Sequence, residues 1–278
     1  MPPSRDDPDG HGRASRTPLL EIVVPAHNEE RRLPGGLLQL CAKLARMPFA
    51  SAVIVVDNNS TDRTAEIVTT WPGGDVPVRL VRCATPGKGA AVRAGLLATS
   101  APYVGFCDAD MATDLAAIDV ALDLLRSGER VVIGSRAHRG SHVENRHSRI
   151  REAGAYGFRA LARLLVPGVG DTQCGFKFFD GGLAREIAAQ LRTSGFAFDV
   201  ELLARCLARR SRVTEIPVRW RDMPGSRFSP PRHAFGIVLE LGRIWLRLRA
   251  RPRAAGQSAG QSAGQPAWEP PLDPVGYP

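Results

Sequence analysis

The chain has 278 residues, of which 44% are hydrophobic, with a formal net charge of +9 and a pI near 10.0. That length suits one large α/β domain or two small ones. No stretch approaches the roughly 20 apolar residues of a membrane span, and the polar opening to Arg16 has no apolar core of a signal peptide. The positive balance leaves nucleic acid, an anionic membrane face and phosphorylated substrates open as partners. Lys43, Lys88 and Lys177 are the three lysines among 37 basic residues, so each lysine stands against the trend of the composition. Cys41, Cys83, Cys107, Cys174 and Cys206 are scattered and odd in number, which suggests reduced, mostly buried thiols in a cytosolic setting.

Residues 1–17 are polar and are expected to be disordered. From there, β-branched runs alternate with helical patterns. "LLEIVVP" reads as a strand and Glu30 to Met47 as a helix. "AVIVVD" is a strand, and "STDRTAEIVTT" a helix with Ser60 or Thr61 as its cap. "VRLVRC" is a strand before the helix "GKGAAVRAGLLATS", and "YVGFCDAD" a strand before a helix that ends at Gly128. "RVVIGSR" is a further strand. The second half predicts a helix over 149–166, a loop with strand character in "GVGDTQCGFKFFD", and helices in "LAREIAAQLRTS" and "DVELLARCLARR". A strand "RVTEIPVRW" and an amphipathic helix from Arg232 to Arg249 follow. Residues 254–278, rich in Gln, Ser, Gly and Pro, predict a disordered tail. The alternation argues for an α/β fold with a mostly parallel sheet covered by helices. The body spans 18–253, with a nucleotide-binding half at 18–136 and an acceptor half at 137–253.

In open α/β sheets, ligands sit outside the carboxyl ends of the strands. Four polar clusters fall there in succession: "PAHNEE", "DNNSTD", "TPGKG" and "DAD". One such cluster alone is an ordinary strand terminator. Four in a row point to one shared site. In "DAD", Asp108 and Asp110 lie one residue apart at the end of an apolar strand. One carboxylate can meet a ribose while the other takes a hard cation, and Mg²⁺ or Mn²⁺ suits few carboxylates plus diphosphate oxygens. "GKGAAVRAG" is not a Walker sequence, but Gly87 and Gly89 permit close backbone approach and Lys88 brings charge.

The ordered set "VVPAHNEERRLP", "VIVVDNNSTDRT", "GKGAAVRAG" and "DADMATD" resembles family 2 glycosyltransferases of the GT-A (nucleotide-diphospho-sugar transferase) fold. "GSRAH", "DTQCGFKFF", "FAFDVELL" and "EIPVRW" narrow the resemblance to dolichyl-phosphate β-glucosyltransferases and their prokaryotic polyprenyl-phosphate relatives, over roughly residues 19–249. The resemblance implies an inverting transfer of glucose from UDP-glucose to a polyprenyl phosphate. It assigns Pro25, His27, Glu29, Asp57, Lys88, Gly89 and Asp108 to the nucleotide sugar, and Asp108 and Asp110 to the metal. Asp171, Gln173 and Lys177 would lie near the transferred sugar or acceptor phosphate. Asp199 and Glu201 open the helix that carries an acceptor-side carboxylate in this superfamily. Arg136, Arg146 and Arg151, from an Arg-rich segment, are candidates for the acceptor phosphate because arginine grips phosphate with two bonds.

Two departures stand out. Many relatives have two acids after the second strand, where this chain has Asp57, Asn58 and Asn59, and His27 replaces a commoner Tyr. The membrane anchor of the eukaryotic enzymes is not seen, so the expected location is cytoplasmic and peripheral, at an anionic inner membrane face. Ile237, Leu241, Ile244 and Leu248 recur at helical spacing beside Trp245. Such a stripe serves an interfacial helix, packing on the chain's own domain, or packing against a partner subunit. A lipid-phosphate acceptor needs no strong base; with a soluble hydroxyl acceptor, Asp199 is the leading base candidate. No recognised motif supports nucleic-acid binding. A nucleotidyltransferase would want a basic glycine-rich loop where this chain has "PAHNEE".

Overall fold

A computed structural model describes residues 17–144, 149–221 and 230–249. Of the expected disordered ends, 1–17 and 254–278, all but residue 17 lie outside the described residues. The order is β1 (Leu20–Ala26), α1 (Leu33–Ala45), β2 (Ser51–Asp57), α2 (Thr64–Thr69), β3 (Val78–Arg82), α3 (Lys88–Leu97), β4 (Tyr103–Cys107) and α4 (Ala117–Arg126). There follow β5 (Val131–Ser135), β6 (His142–Glu144), α5 (Arg149–Leu165), β7 (Phe176–Asp180), α6 (Gly181–Gln190) and α7 (Phe198–Ala208). The chain closes with β8 (Thr214–Pro217), β9 (Arg219–Arg221) and α8 (Pro230–Arg249).

Seven strands form one sheet in the order β3-β2-β1-β4-β7-β5-β8. All its ladders are parallel except those of β7, which runs antiparallel between β4 and β5. Apolar strands without alternation are buried on both faces, and all seven residues of β2 are buried. Side chains still alternate between the faces. Ile22 and Val24 join a core with Leu37, Leu40, Ile118 and Leu125 of α1 and α4, while Val23 joins the opposite core with Val92, Ile187, Leu202 and Ile244. The result is three layers with a core on each side of the sheet.

The expected strand "RVTEIPVRW" divides. β8 belongs to the large sheet, whereas β9 pairs parallel with β6, a three-residue strand that periodicity did not reveal. The division falls at Pro217, which has no amide hydrogen to donate to a ladder. Val218 then donates to Ser141 Oγ. β9 also braces the chain after the DAD turn: Asp114 donates to the Arg219 carbonyl, and Arg221 donates to that of Ala112. The expected cap of α2 is also displaced. Arg63 occupies the cap position, and Ser60 Oγ instead accepts from the Asn28 amide, tying the first two loops together.

The closing helix resolves the choice left by its stripe. Leu241 and Ile244 are buried in the domain core and Leu248 packs against it; the Ile237 side chain lies outside the described residues. Leu239, Trp245 and Leu246 remain exposed on α8, and Arg249 sits over the Trp245 ring.

Candidate active site

The carboxyl ends of β1, β2 and β4 and the start of β7 meet at one edge of the sheet. Cys107 pairs with Phe176, and one residue on, the Asp108 amide donates to the Gly175 carbonyl. A Cβ on Gly175 would lie 2.0 Å from Asp108 Oδ2, so the carboxylate rests directly on that glycine. Met111, with φ of 47°, turns the chain away, and Asp110 Oδ1 accepts from the Ala112 amide. On the far side α1 packs close, since a Cβ on Gly36 would meet the Ala109 carbonyl at 2.4 Å.

Each carboxylate faces a cation. Lys88 Nζ lies 2.5 Å from Asp108 Oδ1. Burial would lower the Lys88 pKa, but Asp108 and Asp199 together raise it. Arg32 Nη1 lies 3.5 Å from Asp110 Oδ2. Burial, and then the charge of Asp108, push the Asp110 carboxyl above its ordinary value. These oxygen donors suit a hard divalent cation. Among the described residues no group of three or more His, Cys, Asp or Glu side chains is placed to hold a metal ion. A cation shared by Asp108 and Asp110 would therefore complete its shell with diphosphate oxygens and water.

The neighbouring loops are organised by Asn58. Its Nδ2 donates to the carbonyls of Cys83 and Thr85, its Oδ1 accepts from the Gly87 amide, and its carbonyl accepts from His27 Nδ1 at 2.8 Å. A carbonyl can only accept, so Nδ1 is the donor, and the rest of the ring is exposed. Asp57 is buried beside it and accepts from the Ser60 amide. Pro25 is half-buried. Glu29, expected at the nucleoside, commits both oxygens to Arg32 at 2.7 and 2.5 Å.

The glycines of the GKG loop serve a different purpose from the one expected. A Cβ on Gly87 would meet the Ser194 carbonyl, and one on Gly89 would meet Phe198 and the Thr193 carbonyl. The amides of Gly89 and Ala90 donate to Ser194 O. The close approach is to the chain's own backbone, so at this helix start it is the Lys88 side chain that reaches the site.

On the acceptor side the expected residues are largely committed to one another. Lys177 is 0% exposed; its Nζ donates to Asp199 Oδ1 at 2.6 Å and to the Cys174 carbonyl at 2.5 Å, beneath the Phe106 ring. Asp199 is likewise buried, and burial raises its pKa against the pull of Lys177 and Lys88. The two form a buried pair, and Asp199 also acts electrostatically on Lys88. Asp171 is buried and takes a fork from Arg136 Nε and Nη2 at 2.7 and 2.9 Å. Burial alone would raise Asp171, but the Arg136 charge and bonds hold it at about 2. Arg136 thus spends its fork on Asp171 and stacks at 5.5 Å over Trp220 rather than presenting a free guanidinium. The Gln173 amide closes the turn onto Asp171 Oδ1. Glu201 is buried, accepts from the amides of Arg192 and Thr193, and pairs with Arg205. Arg146 and the side chain of Arg151 lie outside the described residues. Cys174 and Cys206 are buried thiols, raised by that burial to about 11 and about 12.

Sequence reading missed Arg32, Asn58 as an organiser, and Gly175. "NEERRLP" holds Arg32, but one arginine among so many carries little signal. Asn58 was noticed only as a missing charge.

Residues 21–187 match the model of glycosyl transferase family 2. The dolichyl-phosphate beta-glucosyltransferase of Drosophila melanogaster is 37% identical over 247 residues, covering 82% of this chain and 74% of that protein. Its Homo sapiens counterpart is 34% identical over 252 residues, with 85% and 76% covered. Among solved structures, glucosyl-3-phosphoglycerate synthase from Mycobacterium tuberculosis in complex with UDP superposes with a TM-score of 0.61 at 20% identity, covering 86% of this chain and 82% of that one. The same enzyme with Mn²⁺, UDP-glucose and phosphoglyceric acid gives 0.61 at 19% identity and the same coverage. At that identity the likeness speaks to fold.

Proposed function

The chain belongs to glycosyl transferase family 2 and has its GT-A fold, and on that premise we propose that it is an inverting glucosyltransferase acting from UDP-glucose on a polyprenyl phosphate of the dolichyl type. The observation that carries this reading is the convergence of the strand-end loops on Asp108 and Asp110, each facing its own cation. The acceptor class follows the relatives, which are 30–37% identical and named for dolichyl phosphate.

In this reading His27, Asp57 and the loop held by Asn58 frame the nucleoside. Asp108 and Asp110 would hold Mg²⁺ or Mn²⁺, which would supply charge stabilisation for a departing diphosphate. Lys88 adds a fixed positive charge where negative charge develops, in a site organised before the reaction. The Asp171–Arg136 fork and the Lys177–Asp199 pair act from below. The first sets the 171–173 turn, and the second holds the Cys174 carbonyl, so together they fix Gly175 against Asp108. They are positioning groups and do not touch substrate.

The burial of Asp199 favours the phosphate acceptor over a hydroxyl. An acceptor phosphate is already a nucleophilic anion near neutral pH, whereas a hydroxyl would want a base, and Asp199 is committed to Lys177. No helix among the described residues is long and apolar enough to cross a membrane. Access to a lipid acceptor is assigned to the exposed Leu239, Trp245 and Leu246 of α8, beside Arg247 and Arg249. That combination draws a surface helix to anionic lipid.

The test is transfer from radiolabelled UDP-glucose to a short polyprenyl phosphate, with and without Mn²⁺ or Mg²⁺, beside a panel of UDP- and GDP-sugars. Label that enters the organic phase, and fails to do so with chelator or in Asp110→Asn, supports the reading. Label that stays aqueous moves a soluble acceptor to first place.

A further inference from the structure

Arg32 sits at the head of α1, and α1 is seated against the DAD turn through the contact of Gly36 with the Ala109 carbonyl. Its guanidinium is clamped on one edge. Nε and Nη2 donate to the two oxygens of Glu29, while Nη1 reaches toward Asp110 Oδ2 at 3.5 Å. The clamp is tight and the reach is loose. The cluster counts three carboxylates, Glu29, Asp108 and Asp110, against two cations, Arg32 and Lys88. With Arg32 in place, a lone divalent ion entering at Asp110 must displace or endure a guanidinium already there. A diphosphate arriving with the ion brings negative charge that offsets this repulsion and gives Nη1 a new acceptor.

We propose that Arg32 is a built-in counter-cation of the Asp108–Asp110 pair, opposing metal in the absence of nucleotide and so making metal binding depend on the donor. This rests on the metal role of that pair given above. A unit charge about 8 Å from a divalent ion, even at the dielectric constant of water, changes its affinity by about fivefold, and by more at closer approach.

Direct Mn²⁺ titration, read from the electron paramagnetic resonance signal of the free ion, tests the idea without any turnover. Wild type, Arg32→Gln, Arg32→Lys and Asp110→Asn are compared with and without UDP. Without UDP, Arg32→Gln should bind Mn²⁺ at least about fivefold tighter than wild type, a gain that damage to the fold would not produce. Arg32→Lys keeps the charge and should stay near wild type. The factor by which UDP tightens Mn²⁺ binding should shrink in Arg32→Gln. Arg32→Met fills the same space with apolar atoms and carries the same expectation, in case the Gln variant folds poorly. Equal or weaker Mn²⁺ binding in both neutral variants overturns the proposal. Undiminished binding in Asp110→Asn overturns the metal reading itself, which is a separate result.

Discussion

Replacing Gly175 by alanine adds one methyl group at the point where β7 begins. The structure places that methyl 2.0 Å from Asp108 Oδ2, 2.3 Å from its Cγ and 2.6 Å from Oδ1. Atoms of these kinds do not approach within about 3 Å, so the carboxylate must retreat by about 1 Å or rotate away. Rotation is resisted, because Asp108 Oδ1 is held 2.5 Å from Lys88. The Gly175 backbone does not lie in the left-handed region, so the substitution is not strained in itself and the damage stays at the carboxylate. Misplacement of about 1 Å at a reacting centre costs on the order of 10²-fold in rate. Steady-state glucosyl transfer should therefore fall by about that factor, and UDP affinity in the presence of metal should weaken, with the melting temperature nearly unchanged. Full turnover in a well-folded Gly175→Ala protein would refute the claim that Asp108 must occupy its observed position. A large loss of stability would refute the claim that the glycine serves the site rather than the sheet.

Lys177→Met leaves Asp199 buried without its partner and should cost about 3–5 kcal/mol in denaturant unfolding. Adding Asp199→Leu should recover most of that, whereas a Lys177→Met protein that melts like wild type yet transfers nothing would restore Lys177 to direct catalysis. Asn58→Asp removes both donors to the Cys83 and Thr85 carbonyls, each a loss of about 1–3 kcal/mol, so calorimetry should show UDP binding weakened by about tenfold or more. Asp171 has a folded pKa of about 2, below the ordinary 3.8. Its ionised form therefore contributes stability that is fully present above about pH 4 and is lost as pH falls through about 2. Asp171→Asn should lower stability at neutral pH by about 2 kcal/mol and flatten acid unfolding across that window. Unchanged acid unfolding would show that the Arg136 fork contributes little.

The sheet and its loops were legible because their signals are local. Apolar runs mark β1, β2 and β4, and polar clusters mark where each ends. The DAD pair was legible for the same reason. What escaped depends on partners distant in sequence. Nothing near Phe176 announces that β7 runs antiparallel between β4 and β5, since that is a matter of where the chain returns. Lys177 was singled out because lysine is rare here, and its rarity did mark a special environment, but one that is dry. A compact ammonium fits between a carboxylate, a carbonyl and an aromatic face where a guanidinium would not. Asn58 was read by the charge it lacks, whereas its position calls for two donors that an aspartate does not have.

The place of β7 also bears on how the molecule is assembled. Until β7 arrives, β4 has a partner on one side and an open row of backbone donors and acceptors on the other. The chain supplies that missing strand only after about 70 further residues, counted from Tyr103 to Phe176. An uncovered apolar edge of this kind is a template for pairing with other chains. A nascent or nicked chain that ends before Gly175 would thus present Val104 and Phe106 along a sticky border, and would lack the glycine beneath Asp108 as well. The strand that seals the border is the one whose first residue adjoins the site, so activity and protection from aggregation are gained in the same step.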